Sequence, residues 1–186
     1  MKAASLSISK VEFIHIRVES NSDFDGEHSS EFHQLDFPFD GVLFKRRMSL
    51  QYDKAKSEDP RTFIFGLSIM LEEDEDDPDS KPLPYNVDIK AVVYMKYMSD
   101  QHAGMERFRA IRATGYSILY GAIREMVSNL TARGPNGMWS LPSADFNSTA
   151  SEEAVVDEAR RQEHLAKQGI PSDKKIVKRP RKKPVA

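Results

Sequence analysis

GYSILYGAIREMVSNLTARGPNGMWSLPSADF, residues 115–146, joins the longest amphipathic pattern in the chain to a sharp stop and a short apolar tail. Within it Ile118, Leu119, Ala122, Ile123, Met126, Val127 and Leu130 recur at helical spacing, while Arg124, Glu125, Ser128 and Asn129 fall elsewhere around the turn. The pattern predicts a helix from about Ser117 to Arg133 with one side to bury. Gly134 and Pro135 then end it, because glycine accepts the left-handed C-terminal conformation and proline has no amide to donate.

What that helix covers is written upstream. Ile14, Ile16 and Val18 alternate with His15 and Arg17, and Phe44, Met48, Leu50 and Tyr52 alternate with Lys45, Arg47, Ser49, Gln51 and Asp53. Both read as strands with one wet face. Phe63, Phe65, Leu67, Ile69 and Leu71 form a third such row, and Val87, Ile89, Ala91, Val93, Met95 and Tyr97 a fourth. No helical pattern separates the four segments. The expected class is therefore α+β: a four-stranded antiparallel sheet packed against one long helix, followed by a second, C-terminal helix. The chain divides into an N-terminal extension (1–10), a main domain (11–146), a C-terminal helix (147–170) and a basic tail (171–186). Within the C-terminal helix, SEEAVVDEARRQEHLAKQ from Ser151 to Gln168 carries only a thin apolar stripe of Val155, Ala159, Leu165 and Ala166.

The 186 residues carry 39% hydrophobic and 30% charged side chains, suited to one soluble domain with polar tails. There is no cysteine, hence no disulfide and no thiolate chemistry. MKAASLSIS lacks the apolar run of a signal peptide, and no stretch approaches the roughly twenty apolar residues of a membrane span. The expected location is the cytoplasm. The net charge of −2 is unevenly spread: residues 173–186 hold seven basic side chains against Asp173, so the tail carries +6 and the rest −8. So acidic a body is a poor general binder of nucleic acid, and only the tail offers it a basic cluster.

Three connections hold candidate functional groups. NSDFDGEHSSEFHQLDFPFDG, between the first two strands, is too long for a hairpin and must cross or wander over the sheet. Its Phe24, Phe32, Leu35, Phe37 and Phe39 either pack on the domain or stand out to receive something apolar. EEDEDDPDSKPLP, between the third and fourth strands, holds seven carboxylates from Glu72 to Asp79 and reads as a solvated hairpin tip. It lacks the glycine turn and ligand spacing of a calcium loop. The loop after the long helix carries Met138, Trp139 and Leu141, which either plug the core or line a surface.

The wording of residues 115–146 resembles the SecB export-chaperone family. An Ile-Leu-Tyr opening at Ile118, Ala-x-Arg-Glu at Ala122 to Glu125, Arg133-Gly134 and Leu-Pro-x-x-x-Phe at Leu141 to Phe146 follow its first long helix and the loop after it. Four strands and then a long helix is also the order this resemblance implies. It further implies that the crossover loop and helix-connecting loop line a groove for unfolded polypeptide, with Phe32, Phe37, Phe39, Met138, Trp139 and Leu141 as client contacts. Acidic residues of the outer sheet, here Glu72, Glu73, Asp74 and Asp88, would meet the SecA motor. A homotetramer built as a dimer of dimers is implied, with Arg124 and Glu125 able to pair across an interface. In this chain an Asn-Ser-Thr-Ala insert at 147–150 is expected to delay the second helix relative to the family, and the basic tail is a departure.

Catalytic signatures are missing. The sequence has no Gly-x-Ser-x-Gly elbow, no phosphate-cradling glycine loop and no His-Glu-x-x-His. His28 and His33, five residues apart in a loop, read as solvated histidines, so no metal or cofactor is expected. The expected function is that of a non-enzyme: an ATP-independent chaperone that holds unfolded preproteins export-competent and passes them to SecA. A dedicated chaperone of an antitoxin, or an adaptor for one folded partner, are the alternatives. A chaperone binds many unfolded chains and ignores folded ones, and an adaptor does the reverse.

Overall fold

The two strongest alternations become the central strands of one antiparallel sheet. In the computed structural model, which describes residues 5–25, 42–73 and 82–169, β1 (Leu6–Ser20), β2 (Val42–Tyr52), β3 (Thr62–Glu73) and β4 (Tyr85–Tyr97) lie in the order β1-β4-β3-β2. Every second residue of β3 and β4, from Phe63 to Leu71 and from Tyr85 to Tyr97, is buried on the same side. That is the expected α+β class. Consecutive β1 and β2 occupy opposite edges and so do not form a hairpin, as the length of the segment between them predicts.

On β1 the simple alternation breaks. Pairing with β4 slips at Ile8/Lys10 and again at Phe13/His15, each time admitting one extra residue. Ile14 is such a residue and is exposed, so it does not share a face with Ile16 and Val18 as the alternation predicted. The strand also begins at Leu6, inside the segment read as an extension.

The long helix, α1, runs Gly104–Thr131 and starts more than three turns before Ser117. Its early turns hide from a hydropathy reading because Arg107 and Arg112 are among their buried residues. Phe108, Ile111, Gly115, Leu119, Ile123 and Val127 face the sheet. Gly115 lies over Phe65, where a Cβ would come within 2.6 Å of the ring. Leu130 does not join the buried stripe. After Thr131 the chain turns through Gly134, whose amide donates to the Thr131 carbonyl at 2.8 Å. Gly134 is not left-handed, so the expected glycine stop is not how the helix ends; glycine stands here because a Cβ would strike the Tyr85 hydroxyl.

The second helix, α2, spans Asn147–Lys167 and follows Phe146 directly. Residues 147–150 are its first turn and not an insert: the Ala150 amide already donates to the Phe146 carbonyl at 2.8 Å. Its buried residues are Ala150, Ala154, Asp157, Arg161 and Leu165, while Val155 and Ala159 are exposed. The thin apolar stripe was therefore only partly the packed one. α2 lies against α1, and the two form one layer on one side of the sheet. Among the described residues no helix is long and apolar enough to cross a membrane.

Candidate functional site

The helix layer is narrower than the sheet. α1 lies against β4, β3 and, more lightly, β1, leaving apolar side chains of both edge strands uncovered on the helix side. On β2, Phe44 and Met48 pair with the fully buried Leu71 and Leu67, yet are 38% and 37% exposed themselves. On β1, Ile8 and Ile16 are 46% and 44% exposed beside Met95 and Ile89, which are buried. Among the described residues each edge strand also has one side with no strand beside it. An apolar row next to free backbone donors and acceptors suits an extended peptide or another strand.

Beside β2 this uncovered margin deepens into a groove of about 620 Å³. Leu50 and Tyr52 supply its apolar side, and Arg160, Glu163, His164 and Lys167 of α2 form the wall. Val156 shares their helical face and is 48% exposed. α2 is held at this distance by charge. Arg112 of α1 donates to Asp157 through Nε and Nη2 at 2.5 and 3.0 Å, and its Nη1 pairs with Glu153. Tyr116 donates its hydroxyl to Glu153 at 2.8 Å, and burial followed by that carboxylate pushes the phenol well above its ordinary value. The Tyr116 ring stacks on Phe146 at 4.6 Å, and Arg46 of β2 lies over both rings at 5.2 and 5.8 Å. Arg46, the cation in the helix-side row of β2, is thus already engaged.

The far end is pinned in the same way. Arg161 donates to the Ser57 carbonyl at 2.9 Å and to Glu158 at 2.8 and 2.6 Å. Burial would raise the Glu158 carboxyl, but Arg161 and Gln162 outweigh it and hold it below its usual value. Arg107 reaches Asp59 and the Pro60 carbonyl at 2.6 and 2.8 Å, fixing the turn that leaves β2.

The predicted client contacts separate. Phe32, Phe37 and Phe39 lie outside the described residues, whereas Phe24, at the start of the same connection, packs against the core. Trp139 and Leu141 are core residues, 1% and 0% exposed. Trp139 stacks on Tyr85 with centroids 6.2 Å apart, and its amide donates to Thr131 Oγ1 at 2.8 Å. Met138 is half-buried beside them. The acidic candidates separate too. Glu72 pairs with Lys45, and Asp88 stands 3.5 Å from His15. Glu73 accepts from the Leu83 amide and Asn21 at 3.1 Å, closing the base of the hairpin. Asp74 lies outside the described residues. Arg124 and Glu125 are both exposed on α1, and Arg124 reaches Ser140 at 3.3 Å.

Sequence reasoning passed over Phe44 and Met48 as site residues. Their exposure depends on where the helix layer ends, and nothing local signals that. The β2 alternation placed them on the helix side without showing that no helix covers them. Among the described residues no group of three or more His, Asp or Glu is arranged to hold a metal ion, and His28 and His33 lie outside them.

No protein-family model matches the chain, and no curated protein does. Among solved structures it is similar to the Mycobacterium tuberculosis SecB-like chaperone Rv1957, in complex with a ChAD peptide from the HigA1 antitoxin. That likeness has 16% identity over 76% of this chain and 88% of the other, with a TM-score of 0.49. It is also similar to a Streptococcus agalactiae protein of unknown function, at 8% identity over 76% of this chain and all of the other, with a TM-score of 0.44. Likenesses this distant leave function to be read from the chain's own geometry.

Proposed function

We propose that this chain is an ATP-independent chaperone that holds extended, apolar polypeptide along β2 and in the groove between β2 and α2. The observation that carries the reading is the exposure of Phe44 and Met48 on the helix side of an edge strand that opens into that groove. An incoming extended segment would pair with the free edge of β2 through its backbone, which is independent of sequence, and lay alternate side chains on Phe44, Met48 and Leu50. Thioether and aromatic surfaces accept many side-chain shapes, as a binder of varied clients requires. The crossover aromatics Phe32, Phe37 and Phe39 and the half-buried Met138 are proposed as further walls. Trp139 and Leu141 contribute by fixing the loop that carries Met138.

Two finer forms share this site. In one, the clients are unfolded preproteins in the cytoplasm, handed to a SecA motor through the acidic residues Glu72, Glu73, Asp74 and Asp88. In the other, the client is one antitoxin segment, the kind of ligand seen in the M. tuberculosis complex. Either form gains from a homo-oligomer, since several weak grooves on one long chain act at high effective concentration.

The test is light scattering of a chemically denatured, slow-folding protein diluted into buffer without ATP. The chain should suppress aggregation near stoichiometric ratio. Phe44→Lys with Met48→Lys should abolish suppression while the thermal midpoint stays put, because both side chains are already partly in water. Trp139→Ser should instead lower stability by about 3 kcal/mol or more, as expected of a buried indole. A wild-type chain that suppresses nothing, or a double-lysine variant that still holds client, overturns the groove.

A further inference from the structure

The sheet has a second face, away from the helices, and its charges follow the strand register. Arg47 of β2, Ser68 of β3, Lys90 of β4 and His15 of β1 stand side by side in one row across all four strands. The adjacent row is Lys45, Met70, Asp88 and Arg17. With strands about 4.8 Å apart and alternate residues about 7 Å apart, the two rows cover a patch of roughly 14 by 7 Å. All of the first row, and Lys45, Met70 and Asp88 of the second, line a shallow concavity of about 290 Å³.

The cations here are unevenly satisfied. Lys45 pairs with Glu72, Arg17 with Glu19 at 2.7 Å, and His15 stands by Asp88. Arg47 and Lys90 have no carboxylate within ion-pair distance among the described residues, and they flank Ser68 from the two neighbouring strands. Next along β3 on this face comes Gly66, covered by Ser49 and Val92 of the neighbouring strands, so the furrow is centred on Ser68 and closed at that end. On the other side of Ser68 lies Met70, an apolar neighbour.

We propose that this furrow docks an acidic peptide segment in extended conformation, independently of the groove on the opposite side. A Glu or Asp carboxylate seated over Ser68 meets the Arg47 guanidinium on one side and the Lys90 ammonium on the other, with the serine hydroxyl as a third donor. Two positions along, an apolar side chain covers Met70. A peptide fits better than a nucleic acid strand because Asp88 interrupts the patch and the body carries −8 outside its tail. Every phosphate of a nucleic acid strand would meet that repulsion, whereas a peptide can set a single carboxylate between the two cations and follow it with an apolar side chain.

Fluorescence anisotropy on the full chain tests the proposal. The probe is a fluorescein-labelled 12-residue peptide of glutamate and aspartate with spaced leucines; the comparisons are its Gln/Asn counterpart and a uridine 12-mer RNA. The acidic peptide should bind and the amide peptide should not. Arg47→Gln with Lys90→Gln should weaken binding at least tenfold and leave the thermal midpoint unchanged, both residues being exposed. Arg133→Gln, an exposed cation beyond α1, should leave affinity as it is. Unchanged binding by the double variant would assign the peptide to the basic tail and overturn the proposal. RNA binding of equal strength, lost in the same variant, would overturn it in favour of a general anion surface. Client holding by the double variant should match wild type, which separates failure here from failure of the groove.

Discussion

Arg107, Arg112 and Arg161 are each 8% exposed or less, an unusual burden for a domain of this size, and each is met by carboxylates or carbonyls. Arg112 is the most consequential because Asp157, its partner, is buried as well. Arg112→Met keeps much of the volume and strands a buried carboxylate, so it should cost about 3–5 kcal/mol in urea unfolding. Arg112→Met combined with Asp157→Leu should recover most of that loss, since an apolar pair of similar size removes the stranded charge. If the single variant is as stable as wild type, the pair does not hold α2.

At the level of elements, Gly115 sets how closely α1 approaches β3. Replacing a helical glycine by alanine ordinarily stabilises by about 0.8–1 kcal/mol. Here the new Cβ would sit 2.6 Å from the Phe65 ring, and such overpacking costs about 1–3 kcal/mol. Gly115→Ala should therefore lower the thermal midpoint, and a rise would mean that helix and sheet are further apart. The same elements show what could be read in advance. β3 and β4 were legible because both strands are central and their inner residues all face one covered side. β1 was legible as a strand but not in its facing, because a bulge leaves no mark in hydropathy. The first turns of α1 and the packed side of α2 were obscured for one reason: Arg107, Arg112, Asp157 and Arg161 are polar residues buried by their partners. A rule that sends charges outward sees them backwards. The groove beside β2 was not legible, since the uncovered part of the strand follows from the width of the helix layer, which no local pattern of Phe44, Met48 or Leu50 encodes.

For the whole molecule, the two edges differ in character. β2 borders a groove, whereas β1 presents an apolar helix-side row of Ile8, Val11 and Ile16. Such an edge suits a second copy of the chain, and we expect it to join subunits into the proposed oligomer. Ile8→Lys with Ile16→Lys should then lower the mass in sedimentation equilibrium towards the 21.1 kDa of one chain, with the circular dichroism spectrum unchanged. A mass unaffected by the two lysines would move the interface elsewhere, Arg124 and Glu125 of α1 being the next surface to change.

The ionic clip between α1 and α2 has a mechanical consequence. Two apolar helix faces can slide by a turn and still find grease, but a two-pronged arginine has one seat. Shifting α2 by one turn, about 5.4 Å, would set Arg161 opposite Arg112 in one direction; in the other Glu153 would take the seat of Asp157 only by giving up its own bond to Tyr116. The clip acts as a strut: it keeps the cleft beside β2 at one width whether or not anything occupies it, so an arriving chain finds an open berth and need not pry one apart.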